Sequence, residues 1–243
     1  MPTISPRQAQ LLRIIIEEYV KSAEAVGSEN IVAKYNLGVS PATVRNEMAA
    51  LTQEGYLEQP HTSAGRIPTA LGFRYYLSDL MEEQDIPVIS EVAIKQRLWQ
   101  ERHELENLMR NMAMALADET HEMAVATTDS GKVYAAGAAY ILDSPEFYDI
   151  ELTKSVLSLI DQYDTLASIF GHGSEDPGVH VMVGAETGLP YLAPCSVVFR
   201  HFDLGRGRVG TLGVIGPARI NYPAVIPTVR YFSDLMNELS RSW

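Results

Sequence analysis

Apolar residues recur at helical spacing in the segment that follows Ser40. Val44, Met48 and Leu51 stand at positions i, i+4 and i+7, which predicts an amphipathic helix with one buried face. Ser40 can accept a hydrogen bond from a free backbone N–H as the N-cap, and Pro41 suits the first helical position, where its missing N–H costs nothing. The pattern therefore predicts a short helix that begins at Pro41 and exposes its opposite, polar face.

Two further helices are predicted ahead of this one. Ser5 and Gln8 fit a capping box, in which each side chain bonds the backbone N–H of the other residue, and apolar spacing then continues towards Gly27. Ser28 is expected to cap the second helix. The residues expected to face the core from that helix are Ile31, Val32 and Tyr35. Residues 36–39 form the predicted turn to the third helix.

A strand, a polar loop and a second strand follow the third helix. Gly55 supplies the left-handed residue that ends the helix, residues 56–59 and 66–68 are predicted strands, and residues 60–65 form the loop between them. Thr69 is expected to cap a further helix that packs under the loop, with the apolar residues Leu71, Phe73, Tyr75 and Tyr76. This order is the layout of a winged helix-turn-helix, which places one helix in the DNA major groove.

Polar residues on the outer face of the third helix and on the loop are the candidate DNA contacts. Arginine can bond guanine bidentately and asparagine can bond adenine, so Arg45 and Asn46 are the candidate base readers. Ser40 and Thr43 suit phosphate contacts at the helix N-terminus, where small neighbours let the backbone come close. The loop residues are placed to meet phosphates or an adjacent minor groove. The complete set of candidates is Ser28, Ser40, Pro41, Ala42, Thr43, Arg45, Asn46, His61, Thr62, Ser63 and Arg66.

The remaining chain predicts an α+β domain that follows a helical segment. The predicted divisions are residues 1–82, 83–120 and 121–243, with a long helix over residues 90–117. Strands are predicted at residues 123–128, 133–139, 179–183, 196–204 and 209–215, and helices at residues 151–163 and 223–239. A Gly-Arg-Gly-Arg hairpin signal lies at residues 205–208. Strands mixed with helices indicate an α+β sheet domain.

An apolar stripe on the predicted long helix is a candidate partner surface. Its members recur at helical spacing, and such a stripe can pack on its own domain or contact a second molecule. They are Leu98, Leu105, Met109, Met112 and Leu116. Both interpretations stay open at the level of the sequence.

Charge is unevenly divided along the chain. Residues 1–80 carry 7 Lys+Arg and 8 Asp+Glu, a balance of −1, and the total of −12 leaves −11 for residues 81–243. The near-neutral first part predicts modest non-specific attraction to phosphate, so affinity for DNA would depend on specific contacts and on dimerisation. Cys195 is the single cysteine, which excludes an intrachain disulfide. We expect Cys195 to act as a small buried apolar residue.

The sequence carries no motif of an enzyme or of a membrane protein. It has no P-loop, no HExxH run, no strand-turn-serine elbow and no apolar run long enough to span a bilayer. Residues 171–176 and His180 include metal-capable side chains, but their spacing matches no ligand pattern and is typical of a surface loop. The expectation is a cytoplasmic regulator without a metal or cofactor.

Three blocks of the chain resemble the heat-inducible transcription repressor family, HrcA. Residues 36–76, with the strings VSPATVRNEM and LEQPHTSAGRIPT, are similar to the DNA-binding domain of that family nearly residue for residue. AAYILDSPEFYD (residues 138–149) resembles its segment ahead of a C-terminal helix, and GTLGVIGPARINYPAVIP (residues 210–227) resembles its closing signature. The resemblance implies a GAF-like second domain, an inverted-repeat operator ahead of chaperone genes, a homodimer on double-stranded DNA and the GroE chaperonin as a partner.

The chain departs from that family at two places. Ala218, Ile220 and Asn221 stand where the family commonly has Thr, Met and Asp. Residues 129–132 form a tight predicted turn where full-length relatives carry further strands and an inserted dimerisation segment. The resemblance therefore indicates a shortened member, and the family's route to dimerisation does not carry over.

Three functions of different classes remain after these observations. The first is a sequence-specific repressor of heat-shock genes, and the second is a regulator whose GAF-like domain takes a small ligand. The third is a protein-interaction module that has lost independent DNA binding, since winged folds host several functions and an exposed polar helix face is often simply solvated.

Overall fold

The chain divides into two compact units, Met1–Glu82 and Glu83–Trp243, which we call the N-terminal and the C-terminal unit. The structure is a computed structural model that describes residues 4–171 and 177–240. The loop predicted at residues 171–176, which includes metal-capable side chains, lies outside the described residues from residue 172 onward.

Three helices open the N-terminal unit, and local sequence signals set their ends. They are α1 (Pro6–Ser22), α2 (Ser28–Lys34) and α3 (Pro41–Gln53). The capping box predicted at α1 is confirmed, because Ser5 and Gln8 exchange side-chain to backbone hydrogen bonds of 2.8 and 3.2 Å. Ser40 caps α3 as predicted, with its Oγ accepting from the backbone N–H of Thr43 at 3.2 Å. The predicted inner face of α3 is buried through Val44, Met48 and Leu51.

The start of α2 differs from the prediction. Gly27, rather than Ser28, is the N-cap, with an extended backbone at φ −93° and ψ 147°. Ser28 is therefore the first helical residue, and its side chain is buried instead of capping the helix. Ile31 is buried as predicted, whereas Val32 and Tyr35 are only half-buried.

A short antiparallel sheet follows α3. β1 (Leu57–Glu58) pairs with β2 (Ile67–Pro68). Val26, from the connection between α1 and α2, also pairs with Arg66, through two backbone hydrogen bonds of 2.9 Å. The loop between the strands is therefore tied at its base to the connection between the first two helices.

A fourth helix closes the N-terminal unit. α4 (Ala70–Tyr75) is capped by Thr69, as predicted, and continues into a π-helical turn (Tyr76–Leu80). Phe73 is buried as predicted. Leu71 is 38% exposed, because residues two positions apart on a helix point to nearly opposite sides and Phe73 takes the inner one.

The C-terminal unit is built on an antiparallel sheet that, among the described residues, has five strands in the order β4-β3-β7-β6-β5. The strands are β3 (Met123–Thr128), β4 (Val133–Ala136), β5 (His180–Val183), β6 (Cys195–Asp203) and β7 (Val209–Pro217). The helices are α5 (Val88–Gln100), α6 (Leu105–Thr120), α7 (Ile150–Ser158), α8 (Tyr163–Gly171) and α9 (Tyr222–Ser240). α6 and α9 pack on one face, and α7 and α8 enclose an apolar core on the other. The architecture is α+β and is consistent with a GAF-like domain.

The single long helix predicted over residues 90–117 is wrong, since a turn at residues 101–104 separates α5 from α6. Leu98 on α5 and Met109, Met112 and Leu116 on α6 are fully buried, and Leu105 is half-buried. The break lets both helices direct apolar side chains into the core of their own unit. The interpretation of the stripe as an exposed partner surface is therefore wrong for the four buried residues.

Other elements of this unit follow the sequence with local differences. The predicted hairpin at residues 205–208 is confirmed, because the Leu204 N–H donates to the Arg208 carbonyl at 2.9 Å across a turn with left-handed glycines. α7 ends at Ser158 and passes into a 3-10 turn, earlier than predicted. β4 ends at Ala136 and is followed by 3-10 turns. α8 was not predicted from the sequence.

Two titratable groups of the C-terminal unit have strongly raised pKa values: Cys195, which is buried, and Glu122, which is half-buried. Burial raises the pKa of the Cys195 thiol to about 12. Burial also raises the pKa of Glu122 from its ordinary 4.5 to about 8; the Arg219 guanidinium opposes this and the Glu146 carboxylate adds to it. Arg219 is itself paired with Glu146 at 2.7 Å. A Cβ on Gly216 would lie 2.1 Å from the Glu122 Oε2, so the carboxyl group occupies space that only glycine leaves free.

Candidate nucleic-acid interface

The exposed face of α3 presents the two candidate base readers. The Arg45 side chain is 68% exposed, and Asn46 lies exposed beside it. A guanidinium nitrogen of Arg45 is 4.0 Å from the Glu29 carboxylate of α2, which is itself 82% exposed. This surface pair is weak and solvated, so Arg45 can leave it for a stronger acceptor at little cost.

The N-terminus of α3 carries the candidate phosphate contacts. The Ser40 and Thr43 hydroxyl groups lie 3.1 Å apart, and the Ser40 Oγ also accepts from the Thr43 N–H. Pro41 and Ala42 occupy the first helical turn, and Ala42 is exposed. Small and hydroxyl side chains thus surround the positive end of the helix dipole.

A glutamine fixes the shape of the β1–β2 loop (residues 59–66). The Gln59 Nε2 donates to the Thr62 carbonyl at 3.0 Å and to the Ala64 carbonyl at 2.9 Å. The Ala64 N–H donates to the His61 carbonyl at 2.8 Å, and the Ser63 Oγ lies 3.3 Å from the His61 Nδ1. The loop is therefore preorganised, with the side chains of His61, Thr62 and Ser63 all exposed.

Arg66, a predicted phosphate or minor-groove contact, holds the base of this loop against α3. Its Nε donates to the Thr52 Oγ1 at 3.0 Å, and its Nη1 donates to the Gly65 carbonyl at 3.3 Å. The side chain is half-buried. Its charge still contributes to the surface, while its hydrogen bonds position the loop.

Gly65 permits the close approach of the loop to the α1–α2 connection. A Cβ at this position would lie 2.3 Å from the Val26 carbonyl oxygen, far inside van der Waals contact. Only glycine therefore allows the paired hydrogen bonds between Val26 and Arg66.

These elements enclose a groove of about 460 Å³ between the start of α2, α3 and the β1–β2 loop. We call it the α3–loop groove. Its lining includes five of the eleven candidates, namely Ser28, Arg45, Thr62, Ser63 and Arg66. Ser40, Pro41, Ala42, Thr43, Asn46 and His61 lie outside its lining. Ser28 contributes little surface, because it is only 7% exposed.

Three further residues shape the site and were missed from the sequence. Gln59 and Glu29 line the α3–loop groove, and Thr52 in the last turn of α3 anchors Arg66. No local signal identifies them, since their roles depend on contacts between segments that are distant along the chain.

The described residues offer no other obvious chemistry. No group of three or more His, Cys, Asp or Glu among them could hold a metal ion. No described helix is long and apolar enough to cross a membrane.

Comparisons with known proteins agree on one family. The family model described as "HrcA protein C terminal domain" matches residues 69–226. The heat-inducible transcription repressor HrcA of Symbiobacterium thermophilum is 31% identical over 338 aligned positions, covering 98% of this chain and 99% of that protein. The HrcA repressor of Desulforamulus reducens is 28% identical, with 97% of each chain covered. Since this chain has 243 residues, at least 95 of the 338 positions (338 − 243) have no counterpart in it.

One solved structure shares the fold. The crystal structure of a hypothetical protein superposes with a TM-score of 0.79 over 99% of both chains, at 18% sequence identity. At that identity the likeness concerns the fold alone.

Proposed function

The chain belongs to the HrcA family of heat-inducible transcription repressors, and from this premise we propose that it is a sequence-specific repressor of chaperone genes. It binds double-stranded DNA at an inverted-repeat operator as a homodimer, through a winged helix-turn-helix in the N-terminal unit. The relatives are named as transcription repressors, which is a non-enzymatic role.

The observation that carries the proposal is the exposed Arg45 and Asn46 pair on α3, beside a preorganised loop. In a winged module the recognition helix enters the major groove and presents a few side chains to base edges. Arg45 and Asn46 have the donor pattern for guanine and adenine, and neither is used in the core of the unit. The weak contact of Arg45 with Glu29 is the only ion pair described for it, so DNA replaces it readily.

The β1–β2 loop acts as the wing in this proposal. His61, Thr62 and Ser63 are exposed on a loop whose conformation Gln59 already fixes, so binding a phosphate backbone orders few additional atoms. Arg66 supplies charge at its base while it holds the loop to α3. Hydroxyl and imidazole donors of this kind position a protein on DNA without selecting its sequence.

A dimer is needed because one N-terminal unit provides little electrostatic affinity. Residues 1–80 have a balance of −1, so few counterions are released when a single unit meets DNA. Two units on two half-sites combine two modest affinities into one strong interaction. The family resemblance further supports inactivation by heat and restoration by the GroE chaperonin, a response that a modest change in folded fraction can produce.

Fluorescence anisotropy with an inverted-repeat chaperone operator and a scrambled duplex tests the proposal. The wild-type protein should prefer the repeat, and Arg45→Ala should weaken that binding by about 1–3 kcal/mol and relax the preference at one base position. Arg110→Ala, which removes an exposed arginine of α6, is the matched control and should leave binding unchanged. Equal affinity of the wild type for both duplexes would overturn the proposal.

A further inference from the structure

An exposed apolar face runs along α5, at the start of the C-terminal unit. Val88, Ile89, Val92 and Trp99 are 74%, 82%, 50% and 44% exposed, respectively. They share one side of the helix with Ala93, because positions separated by three, four or seven residues align on a helix. Four large apolar side chains exposed on one short helix are unusual for a surface that meets only water.

The opposite face of α5 is firmly attached to its own unit. Ile94 and Leu98 are buried, Arg97 pairs with Asp118 of α6 at 3.1 Å, and the backbone carbonyl of Glu91 accepts from a tyrosine hydroxyl of α9 at 2.9 Å. The helix is therefore held in place from within, and its outer apolar face is a rigid surface.

Charge separates this face from the rest of an acidic unit. The exposed residues of α5 are Val88, Ile89, Val92, Ala93, Lys95, Gln96, Trp99 and Gln100, and none of them is a carboxylate. Residues 81–243 nevertheless have a balance of −11, so two copies of the chain repel each other over most of their surface. Two carboxylates beside this face, Glu238 of α9 and Asp118 of α6, are paired with Lys95 and Arg97 of α5 at 2.9 and 3.1 Å, so a contact between copies brings less net negative charge together here.

A second exposed apolar patch in the same unit lacks this property. It includes Tyr148 and Ile150, which are 71% and 67% exposed. Asp149 lies between them, Glu151 follows, and both carboxylates are exposed. Pairing of two such patches would bring like charges together, so this patch is the poorer surface for a second copy.

A shallow groove beside the α5 face can receive a side chain from another helix. It measures about 310 Å³ and is lined by Ile89, Ser90, Ala93, Ile94 and Arg97 of α5 and by Ala115, Asp118 and Glu119 of α6. Its apolar members, Ile89, Ala93, Ile94 and Ala115, would accommodate an isoleucine or valine from a neighbouring α5, and the Asp118 carboxylate is paired with Arg97 at 3.1 Å. In a two-fold contact each copy both inserts this side chain and offers the groove that receives it.

We propose that the apolar face of α5 is the surface through which two copies of this chain dimerise. The inference rests on the proposed function as a dimeric repressor. It names a contact within this chain, which does not use the positions of the Symbiobacterium thermophilum relative, at least 95 in number, that have no counterpart here. α5 begins six residues after the end of the N-terminal unit. Joining two α5 helices would therefore restrict the distance between two DNA-binding units to what a short connection can span.

Sedimentation velocity of the full chain is the first test. The wild type should sediment as a dimer at micromolar concentration, and the double variant Ile89→Glu/Val92→Glu should sediment as a monomer, because it places two carboxylates on each side of the contact. Ile150→Glu is the matched control, since it adds a carboxylate at an equally exposed apolar residue on the other patch, and it should remain a dimer. A wild-type monomer, a dimeric double variant or a monomeric control would each overturn the proposal.

Cysteine crosslinking tests the same contact without introducing charge. Val92→Cys should form a disulfide-linked dimer under mild oxidation, whereas Ile150→Cys should not, and the native Cys195 is buried and does not compete. Failure of Val92→Cys to crosslink in a protein that sediments as a dimer would refute the assigned surface. Far-UV circular dichroism of every variant verifies that it is folded.

DNA binding separates this inference from the function on which it rests. The Ile89→Glu/Val92→Glu variant should lose about tenfold or more of the affinity for the inverted repeat, because its two units no longer bind as one. Arg45→Ala should bind the repeat more weakly, with a relaxed preference at one base position, while it remains a dimer. If the wild type is a dimer but does not prefer the repeat, the proposed function is overturned and the interface is not. If the wild type binds the repeat specifically and the double variant is still a dimer, this interface is overturned and the proposed function is not.

Discussion

The raised pKa of the half-buried Glu122 predicts that the C-terminal unit loses stability as pH rises. The folded unit holds a proton on Glu122 up to about pH 8, whereas the unfolded chain releases it near 4.5. Between these values the folded state binds more protons than the unfolded state, so the free energy of unfolding falls with increasing pH. Each pH unit in this window corresponds to about 1.4 kcal/mol, which amounts to roughly 5 kcal/mol over the whole interval of about 3.5 units.

Glu122→Gln removes this dependence with almost no change in shape. The amide is neutral at every pH, so the variant should match the wild type near pH 4 and exceed its stability by roughly 5 kcal/mol near pH 9. Urea unfolding followed by tryptophan fluorescence reports the correct unit, because Trp99 belongs to the C-terminal unit and residues 1–82 contain no tryptophan.

The difference between the two proteins isolates Glu122 from other titrating groups. Burial lowers the pKa of His201 below its ordinary 6.5, so that residue makes both proteins less stable as pH falls through that range. This contribution cancels in the comparison. Parallel pH profiles for wild type and Glu122→Gln would refute the reasoning, because they would mean that the carboxyl group ionises equally easily in the folded and unfolded states.

Three further predictions follow from the local geometry. Gly65→Ala should destabilise the N-terminal unit by about 1–3 kcal/mol and reduce operator binding, because its Cβ meets the Val26 carbonyl oxygen; thermal unfolding and anisotropy measure the two effects. Gln59→Ala removes two hydrogen bonds that hold the loop in shape, each contributing about 1 kcal/mol, and should therefore weaken operator binding. Unchanged affinity for the operator would show that the loop does not contact DNA. Cys195 should resist alkylation in the native protein at neutral pH and react at the rate of unfolding, as mass spectrometry over time would reveal.

Signals confined to a few neighbouring residues were read correctly from the sequence. Ser5 with Gln8 and Ser40 with Pro41 set helix starts through groups within one turn, and those starts are where the structure has them. The hairpin at residues 205–208 likewise depends on its own glycines. In each case the partner of the key side chain lies three or four residues away, within the range that a sequence pattern describes.

Features that depend on distant partners were not predictable in this way. The spacing of Leu98 and Leu105 suits one continuous helix, and no proline or glycine marks the turn between α5 and α6. The role of Arg66 depends on Thr52, fourteen residues earlier, and a polar loop arginine gives no sign of that bond. The exposed apolar face of α5 could not be predicted either. The same helix carries apolar residues on its inner side, and periodicity alone does not say which side is covered.

The turn between β3 and β4 bears on how proteins of this kind gain and lose parts. The Thr128 N–H donates to the Lys132 carbonyl at 3.1 Å, and Thr127 stands opposite Val133, so the two strand ends are fixed side by side by their own ladder. The resemblance places the additional segment of longer relatives at this junction. Because the strand ends stay together whatever joins them, a whole module can be added or deleted there without redesign of the sheet. The fold thus provides a junction at which a segment can be added or removed while the sheet on either side of it is kept.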